Sequence, residues 1–238
     1  MTVVIILALD TTTRAGSVAV VRDDLVLALL PGDESRTHGE RLPSEIALAL
    51  DRAGVSREQI DLLAVAAGPG GFTGLRIGLA AVQGLAMTLN KPVVGVSALS
   101  ALAAQVTNAT EPVGFIAPWM DAQRGDVFAT LIDAETANEI EPPMAENPSQ
   151  ILERWRSQWS ARRIVFVGDA VTRDAAAIAA AGAGQWPLQL PEPLAPQIAM
   201  LGKRLAEQGR AGPPHALTPV YVRRPDAEIE RDQRRSKG

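Results

Sequence analysis

The sequence predicts an α/β fold built from two related halves. Short apolar runs typical of buried strands, at residues 3–9 and 62–67, alternate with segments of helical character. A unit of buried strand, aspartate, polar turn and second strand occurs twice, at Asp10 and at Asp121. The two copies lie much further apart than the roughly 20–50 residues of a solenoid repeat, so they indicate an internal duplication.

Each element of the first half follows from its residue pattern. β-Branched and aliphatic runs bounded by turn residues predict strands, and longer periodic segments predict helices. The predicted order is strands at 3–9, 17–21 and 25–30, a helix at 40–53, a strand at 62–67, a helix from about 74 to 89, a strand at 93–96 and a helix at 97–106. Thr37 and Glu40 have the spacing of a capping box, but Pro43 predicts that the first helix starts or kinks at this proline.

A polar stretch at residues 107–112 separates the two halves. The second half repeats the strand, turn and strand around Asp121 and continues through a proline-rich connector that begins at Glu141. The remaining predicted elements are a helix at 149–157, a strand at 163–167, an alanine-rich helix ending at 181 and a last helix at 196–207.

Composition restricts the classes of protein that this chain can belong to. It is 47% hydrophobic but only 4% aromatic, so we expect a core of Ala, Leu, Val and Ile. The net charge of −4 argues against a protein that binds nucleic acid over its whole surface. The sequence has no cysteine, which excludes disulfides, thiolate metal sites and cysteine nucleophiles.

The two ends of the chain predict its location and its tail. The first apolar run stops at Asp10, short of the roughly 18 residues of a spanning helix, and no positively charged region precedes it. We therefore expect a cytoplasmic protein with no membrane partner. Residues 223–238 carry interleaved basic and acidic side chains, which predicts a flexible, solvated tail; a nucleic-acid-binding arm is the alternative.

Asp10 permits two interpretations. A carboxylate at the end of a strand can hold a hydrated cation while the N–H groups and threonine hydroxyls of the following turn bind a phosphate. Alternatively, Asp10 accepts hydrogen bonds from its own turn and only stabilises it. The second copy at Asp121 favours the nucleotide interpretation, because two facing hairpins form a cleft between the halves.

Residues 68–78 form a glycine-rich block followed by an unusually apolar helix. The block lacks the Lys-Ser/Thr pair of a P-loop, and Thr73 stands where a dinucleotide-binding motif has its third glycine. Because the helix has only three polar side chains, nearly every face of it should be buried. A stripe of mostly small residues predicts close packing, either within the domain or against a second subunit together with helix 40–53; it comprises Gly74, Gly78, Ala81 and Leu85.

No arrangement of catalytic side chains can be recognised in the sequence. His38 and His215 stand alone, without the spacing of a metal-binding helix. Residues 95–99 lack the last glycine of a G-x-S-x-G nucleophile elbow, where Leu99 stands instead. These patterns give little support to hydrolytic catalysis.

Four segments resemble the TsaB family, also called YeaZ, the bacterial subunit needed to form threonylcarbamoyladenosine in tRNA. They are residues 10–14 (DTTTR), 68–78 (GPGGFTGLRIG), 121–128 (DAQRGDVF) and 219–223 (PVYVR). Their order matches over nearly the whole chain. The glycine block is specific to the family, whereas the aspartate hairpins are shared with actin-like ATPases and sugar kinases. One departure is Gly71, where many relatives carry a serine that could cap the helix.

The resemblance implies an actin/Hsp70-like (ASKHA) fold of two lobes, each with a mixed sheet that begins in a β-hairpin. We assign residues 1–108 to the first lobe, 109–222 to the second lobe, with a last helix that could pack back on the first, and 223–238 to the tail. The candidate nucleotide-binding residues are Asp10, Thr11, Thr12, Asp121, Gly168 and Asp169.

The resemblance also implies a non-catalytic scaffold. The paralogous TsaD transfers the threonylcarbamoyl group with a metal held by a His-x-x-x-His helix, and the matching positions here are Ala98 and Leu102, which cannot ligate a metal. We therefore expect no catalytic or metal-binding residues and no required cofactor, although ATP or ADP with Mg²⁺ could bind in the complex. The implied pairing surface comprises Gly70, Gly71, Phe72, Thr73, Gly74, Leu75, Arg76, Gly78, Ala81, Leu85, Leu42 and Ile46.

The partners implied are a TsaD paralogue, a TsaE ATPase in the same complex and a second copy of this chain, with tRNA contacted only indirectly. Two other classes of function stay open. One is a stand-alone actin-like ATPase or small-molecule kinase that uses Asp10 and Asp121. The other is a peptidase, which needs a nucleophile or metal that the sequence does not offer.

Overall fold

The computed structural model describes residues 3–106 and 112–223. Most of the predicted separator and the tail beyond Arg223 therefore lie outside the described residues. The first lobe contains a five-stranded sheet in the order β3-β2-β1-β4-β5. Its strands are β1 (Ile5–Asp10), β2 (Ser17–Arg22), β3 (Leu25–Pro31), β4 (Leu62–Gly68) and β5 (Val93–Ser97).

The second lobe contains another five-stranded sheet, in the order β10-β9-β6-β7-β8. Its strands are β6 (Phe115–Asp121), β7 (Val127–Asp133), β8 (Glu139–Glu146), β9 (Ile164–Val167) and β10 (Leu188–Gln189). The two-residue strand β10 was not predicted, because two residues carry no periodic signal.

The two sheets have the same topology. In each, the strand that ends in an aspartate lies at the centre, pairs antiparallel with the strand that follows it and pairs parallel with the fourth strand of its lobe. Counted within each lobe, both sheets run third, second, first, fourth, fifth. The repeated unit at Asp10 and Asp121 is thus the hairpin that opens two copies of one architecture.

In the described part of the chain, six α-helices form layers around the sheets. Helices α1 (His38–Ala53) and α2 (Phe72–Leu89) pack on one face of the first sheet, whereas α3 (Ala98–Ala103) and α6 (Ala195–Glu207) lie on the opposite face. The side chains of α3 and α6 share one core with both sheets, so they join the lobes. The outer face of the second sheet is covered by α4 (Pro148–Trp159) and α5 (Ala175–Ala181).

The last helix returns to the first lobe. At its N-terminus the Ala195 N–H donates to Ser17 Oγ at 3.0 Å, and near its middle Lys203 pairs with Asp24 at 3.2 Å. Between them, Gly202 lies against the side chains of Ala64 and Val94. The sheets are thus separate along the chain, but the helical layer between them is shared.

The structure differs from the sequence predictions at two proline-containing segments. Helix α1 begins at His38 rather than at Pro43, which lies inside it, and Glu40 caps the start by accepting hydrogen bonds from the N–H and hydroxyl of Thr37. The predicted proline-rich connector is strand β8. This strand lies at the edge of its sheet, and its pairing with β7 shifts register between Glu141 and Met144, so the ladder is interrupted where the prolines stand.

Two predicted helix boundaries also shift. Helix α2 begins at Phe72 rather than Gly74, with Gly71 as an N-cap that provides no side-chain hydrogen bond. Helix α3 ends at Ala103, before the predicted end at residue 106.

Helix α2 is less buried than its composition predicts. By length and composition it could cross a membrane, yet it connects β4 and β5, which are parallel neighbours in one sheet, and packs on that sheet as a crossover helix. Only 28% of its residues are buried, and Met87 is 75% exposed. The expectation that nearly every face of α2 is buried is therefore wrong for the single chain.

Gly78 and Gly84 lie on opposite sides of α2 and offer a matched test of its packing. A Cβ at Gly78 would contact Thr11 Oγ1, whereas the space around Gly84 is open. We expect Gly78→Ala to lower the free energy of unfolding by about 1–3 kcal/mol through overpacking. Gly84→Ala should raise it by up to about 1 kcal/mol, since alanine favours a helix. Chemical denaturation measures both; equal effects would contradict the close approach of α2 to Thr11.

Candidate functional site

A cleft with a volume of about 760 Å³ lies between the two lobes. The segments singled out in the sequence meet there, because both hairpins and the glycine block end at the same side of their sheets. The lining consists of residues 11–14, 34–38 and 71–74 with Ile77 from the first lobe, and of Asp121, Gln123 and Asp169 from the second.

Asp10 lies beneath this cleft and is only 1% exposed. One carboxylate oxygen accepts hydrogen bonds from the N–H and hydroxyl of Thr12 at 2.8 and 2.6 Å, and the other accepts from the Thr13 hydroxyl at 2.5 Å. Both oxygens are therefore engaged by the turn that follows β1. This geometry is that of an Asx-turn, in which the carboxylate fixes the backbone of its own loop.

Glycines bring the glycine block and α2 against this turn. A Cβ at Gly70 would contact Thr12, one at Gly74 would contact the Thr11 carbonyl oxygen, and one at Gly78 would contact Thr11 Oγ1. This packing explains Gly74 and Gly78 of α2 by contacts within the first lobe, the first of the two alternatives left open by the sequence.

His38 and Arg41, at the start of α1, hold the same turn from another side. The His38 Nε2 lies 3.1 Å from the Thr13 carbonyl oxygen. Arg41 is 2% exposed, donates to the Ala15 carbonyl oxygen and pairs with Glu45 at 2.7 Å. Sequence reasoning missed Arg41, because only the fold shows that this cation is buried.

The second hairpin has different chemistry. Asp121 is half-exposed, and one of its carboxylate oxygens accepts a hydrogen bond from Arg173 at 2.7 Å. Arg173 also pairs with Asp174, which accepts the indole N–H of Trp119 at 2.8 Å. The same Asp121 oxygen also accepts the Gln123 N–H of its own turn at 3.0 Å, as Asp10 accepts the Thr12 N–H. Asp121 differs from Asp10 in being half-exposed and paired with an arginine.

Gly168 and Asp169 follow β9 next to Asp121. Gly168 has φ 151°, and a side chain there would contact the Trp119 carbonyl oxygen. The Asp169 carboxylate accepts the Asp121 N–H at 2.9 Å. Loss of hydration raises the pKa of Asp169, and the Asp121 carboxylate acts in the same direction. Asp121 and Asp169 line the cleft, whereas Gly168 lies against the backbone of Trp119 and does not line it.

The described residues contain no cluster of side chains with the composition of a metal site. Within residues 3–106 and 112–223, no group of three or more His, Asp or Glu side chains is placed to hold a metal ion. Ala98 and Leu102 lie in α3 with at most 1% exposure. Both side chains belong to the core between the lobes.

The structure divides the predicted pairing residues into two groups. Leu42, Ile46, Leu75 and Gly78 are buried in the first lobe, where the side chains of the first three belong to its core, and their role in pairing stays a prediction. The other group lies at or near the surface and comprises Gly70, Gly71, Phe72, Thr73, Gly74, Arg76, Ala81 and Leu85.

The outermost side of α2 was not singled out in the sequence. Here Ala80, Gly84 and Met87 are exposed and recur at helical spacing, and Pro43 and Ala47 are exposed on α1. Gly39 of α1 faces Ile77 of α2, so the two helices adjoin at this surface. Because α2 is apolar nearly all round, its sequence gives no periodic signal for the side that meets the sheet, which is why the exposed positions of α2 were missed.

Comparison with known proteins bears on this architecture. A family model described as "TsaD: tRNA N6-adenosine threonylcarbamoyltransferase" matches residues 29–231. The tRNA threonylcarbamoyladenosine biosynthesis protein TsaB of Bacillus subtilis is 28% identical over 232 residues, which cover 94% of this chain and 96% of that protein. The solved structure of YeaZ from Pseudomonas aeruginosa has a TM-score of 0.73 and 28% identity, with 92% and 99% of the two chains covered.

The chain belongs to the TsaB (YeaZ) family. A more distant structure, the activator of 2-hydroxyisocaproyl-CoA dehydratase from Clostridium difficile with bound ADPNP, has a TM-score of 0.51 at 12% identity and covers 86% and 96% of the two chains. That likeness concerns the fold alone. Together with the repeated sheet topology, it confirms the predicted actin-like duplicated fold for this TsaB-family chain.

His38 makes the stability of this TsaB-family chain sensitive to pH. Burial and the Arg41 guanidinium lower the pKa of His38 below 6.5. The unfolded chain therefore takes up the proton more readily, and the free energy of unfolding falls as the pH drops below about 6.5. We expect acidification from about pH 7.5 to 5.5 to lower the melting temperature less in His38→Gln than in the natural chain. His215→Gln, at an exposed position, is the control; identical curves for all three proteins would contradict this role of His38.

Proposed function

We propose that this TsaB-family chain is a non-catalytic subunit that pairs with a TsaD-type threonylcarbamoyltransferase and activates it, in the formation of threonylcarbamoyladenosine in tRNA. The observation that carries the proposal is the exposed, uncharged surface of α1 and α2. Pro43, Ala47, Ala80, Gly84 and Met87 define this surface, here called the pairing face.

The pairing face has the properties of a helix–helix contact. Within α2 the sequence has a single charged residue, Arg76, and most of the helix is outside the core. Contiguous apolar surface of this kind marks interaction sites, because covering it removes apolar area from water. Ala80 and Gly84 are small, so the backbone of a partner helix can approach closely.

The choice of partner follows from family relationships. A TsaD family model covers residues 29–231, so this chain and TsaD share an architecture. Related subunits can pair through equivalent faces about an approximate two-fold axis, and a second copy of this chain can use the same face. A TsaE-type ATPase would join the complex outside the pairing face, tRNA would be bound indirectly, and the cytoplasm is the compartment in which we place this assembly.

Two features of the chain support the proposal that it is not catalytic. The Asp10 carboxylate accepts three hydrogen bonds from its own turn, which leaves it unsuited to accept a proton from a substrate. At the positions of the TsaD histidines, Ala98 and Leu102 are apolar core residues.

Charge on the pairing face should abolish partner binding without disturbing the fold. We expect Ala80→Glu and Gly84→Glu to weaken the affinity for co-purified TsaD at least about ten-fold, or 1.4 kcal/mol. Both positions are exposed, so the melting temperature should stay nearly unchanged. Leu190→Glu, at a 67% exposed site outside the pairing face, serves as the control. Sedimentation velocity of each mixture measures the binding; unchanged affinity of the Ala80 variant would overturn the assignment of this face.

The cleft of about 760 Å³ favours one second candidate, a stand-alone actin-like ATPase or small-molecule kinase. Asp121 and Asp169 would then face the phosphates or their metal ion. No comparable observation favours a peptidase. A peptidase requires a nucleophile or a metal ion, and the described side chains are arranged for neither.

ATP turnover by the isolated chain separates these two candidates. With Mg²⁺ present, we expect hydrolysis no faster than that of Asp121→Asn, because Asp121 is held by Arg173 and Asp10 by its turn. Calorimetry on the same samples reports whether ATP binds at all. Rapid hydrolysis by the natural chain that is lost in Asp121→Asn would contradict the non-catalytic proposal.

A further inference from the structure

Residues 217–223, here called the C-terminal strap, run from the core of the first lobe to the hairpin of the second. The strap begins at Leu217, whose side chain is 9% exposed in the first-lobe core. The Gln83 side-chain amide of α2 donates to the carbonyl oxygens of Pro214 and Leu217, both at 3.1 Å. The start of the strap is therefore anchored firmly to α2.

The middle of the strap crosses the end of β4, where the glycine block begins. The Val220 N–H donates to the Ala67 carbonyl oxygen at 2.7 Å. The next residue of β4, Gly68, has φ 123°, and any side chain there would contact the Val220 carbonyl oxygen. A glycine at this position is therefore required both by the backbone conformation and by the passage of the strap.

Tyr221 then ties the strap to the first turn of α2. Its ring stacks on that of Phe72, with centroids 5.5 Å apart. The Arg76 guanidinium lies 3.9 Å from the centre of the Phe72 ring, and its Nε donates to the Tyr221 hydroxyl at 3.0 Å. Tyr221 thus contacts both the Phe72 ring and the Arg76 guanidinium. Displacing Tyr221 therefore removes two contacts from the start of α2.

The strap ends on the second lobe. Arg223 donates to the Ala122 carbonyl oxygen at 2.8 Å and pairs with the Asp126 carboxylate, in the turn that joins β6 to β7. The side chains of Arg223 and Asp126 are 23% and 31% exposed, so water and salt weaken this ion pair. The strap thus has a buried end on the first lobe and a releasable end on the second.

We propose that the C-terminal strap is a latch that holds the two lobes together at the mouth of the cleft and couples their separation to the first turn of α2. Phe72 lines the cleft and also stacks on Tyr221. Opening that breaks the pair between Arg223 and Asp126 frees the strap and, through Tyr221, loosens the start of α2. A ligand in the cleft and a partner on α2 would then influence each other's affinity. This last consequence rests on the proposed pairing function, whereas the latch itself does not.

Hydrogen exchange of the full chain tests the latch directly. We expect Arg223→Ala to increase exchange several-fold both in residues 121–127, where the contact is lost, and in residues 68–76, which Arg223 does not touch. Arg210→Ala, which removes an exposed arginine elsewhere on the first lobe, is the matched control and should leave both segments protected. Increased exchange confined to residues 121–127 would overturn the coupling.

Substitutions at Val220 test the middle of the strap. Val220→Pro removes the N–H that bonds to Ala67, whereas Val220→Ala keeps it and changes only a side chain that is 53% exposed. Only the proline variant should loosen residues 68–76, with Tyr221→Ala giving the same result if the proline variant does not fold. Loosening of equal size in Val220→Ala, or protection that persists in Tyr221→Ala, would contradict the latch.

The coupling to a partner has its own measurement. Arg223 lies outside the pairing face. If release of the strap loosens the start of α2, Arg223→Ala should nevertheless weaken the binding of TsaD several-fold. Unchanged affinity, with exchange in residues 68–76 raised, would overturn the link to the partner and keep the latch. If the natural chain does not bind TsaD at all, the pairing proposal fails, and the exchange results still decide on the latch.

Discussion

The close approach of α2 to the turn after β1 is the constraint on which the rest of the structure depends. Asp10 folds this turn by accepting hydrogen bonds from Thr12 and Thr13, and the turn then lies where a side chain at Gly70 or Gly78 would stand. Glycine is the residue that lets two backbones come this near. Once one side of α2 is fixed against the turn and the sheet, the opposite, mostly apolar side is left to solvent or to a partner.

The duplication produced two hairpins with unequal environments. In the first lobe, α1 and α2 cover the turn, so Asp10 is buried and satisfied locally. In the second lobe Asp121 accepts the N–H of Gln123 in its own turn in the same way, but it is half-exposed at the cleft and pairs with Arg173. The same sequence signature therefore stabilises a turn in both lobes, and only in the second lobe does the aspartate itself line the cleft.

Two different connections hold the lobes. One is the shared core of α3 and α6 between the sheets, built from apolar contacts that are costly to break. The other is the strap, which ends in an ion pair near water. The first connection is buried and the second lies near solvent, so the ion pair of the strap is the connection that water and salt weaken more readily.

The sequence by itself determined the two-half α/β architecture, the two aspartate hairpins, the glycine block and the family, because strand patterns and turn residues are local signals. Only the tertiary structure decided which faces are buried. On α2, Leu75 and Gly78 are buried whereas Ala80 and Gly84 are exposed, and the sequence could not indicate this because an evenly apolar helix carries no signal for the side that meets the sheet. The burial of Arg41 and the contacts of Tyr221 with α2 were equally hidden, because they join residues far apart in the chain.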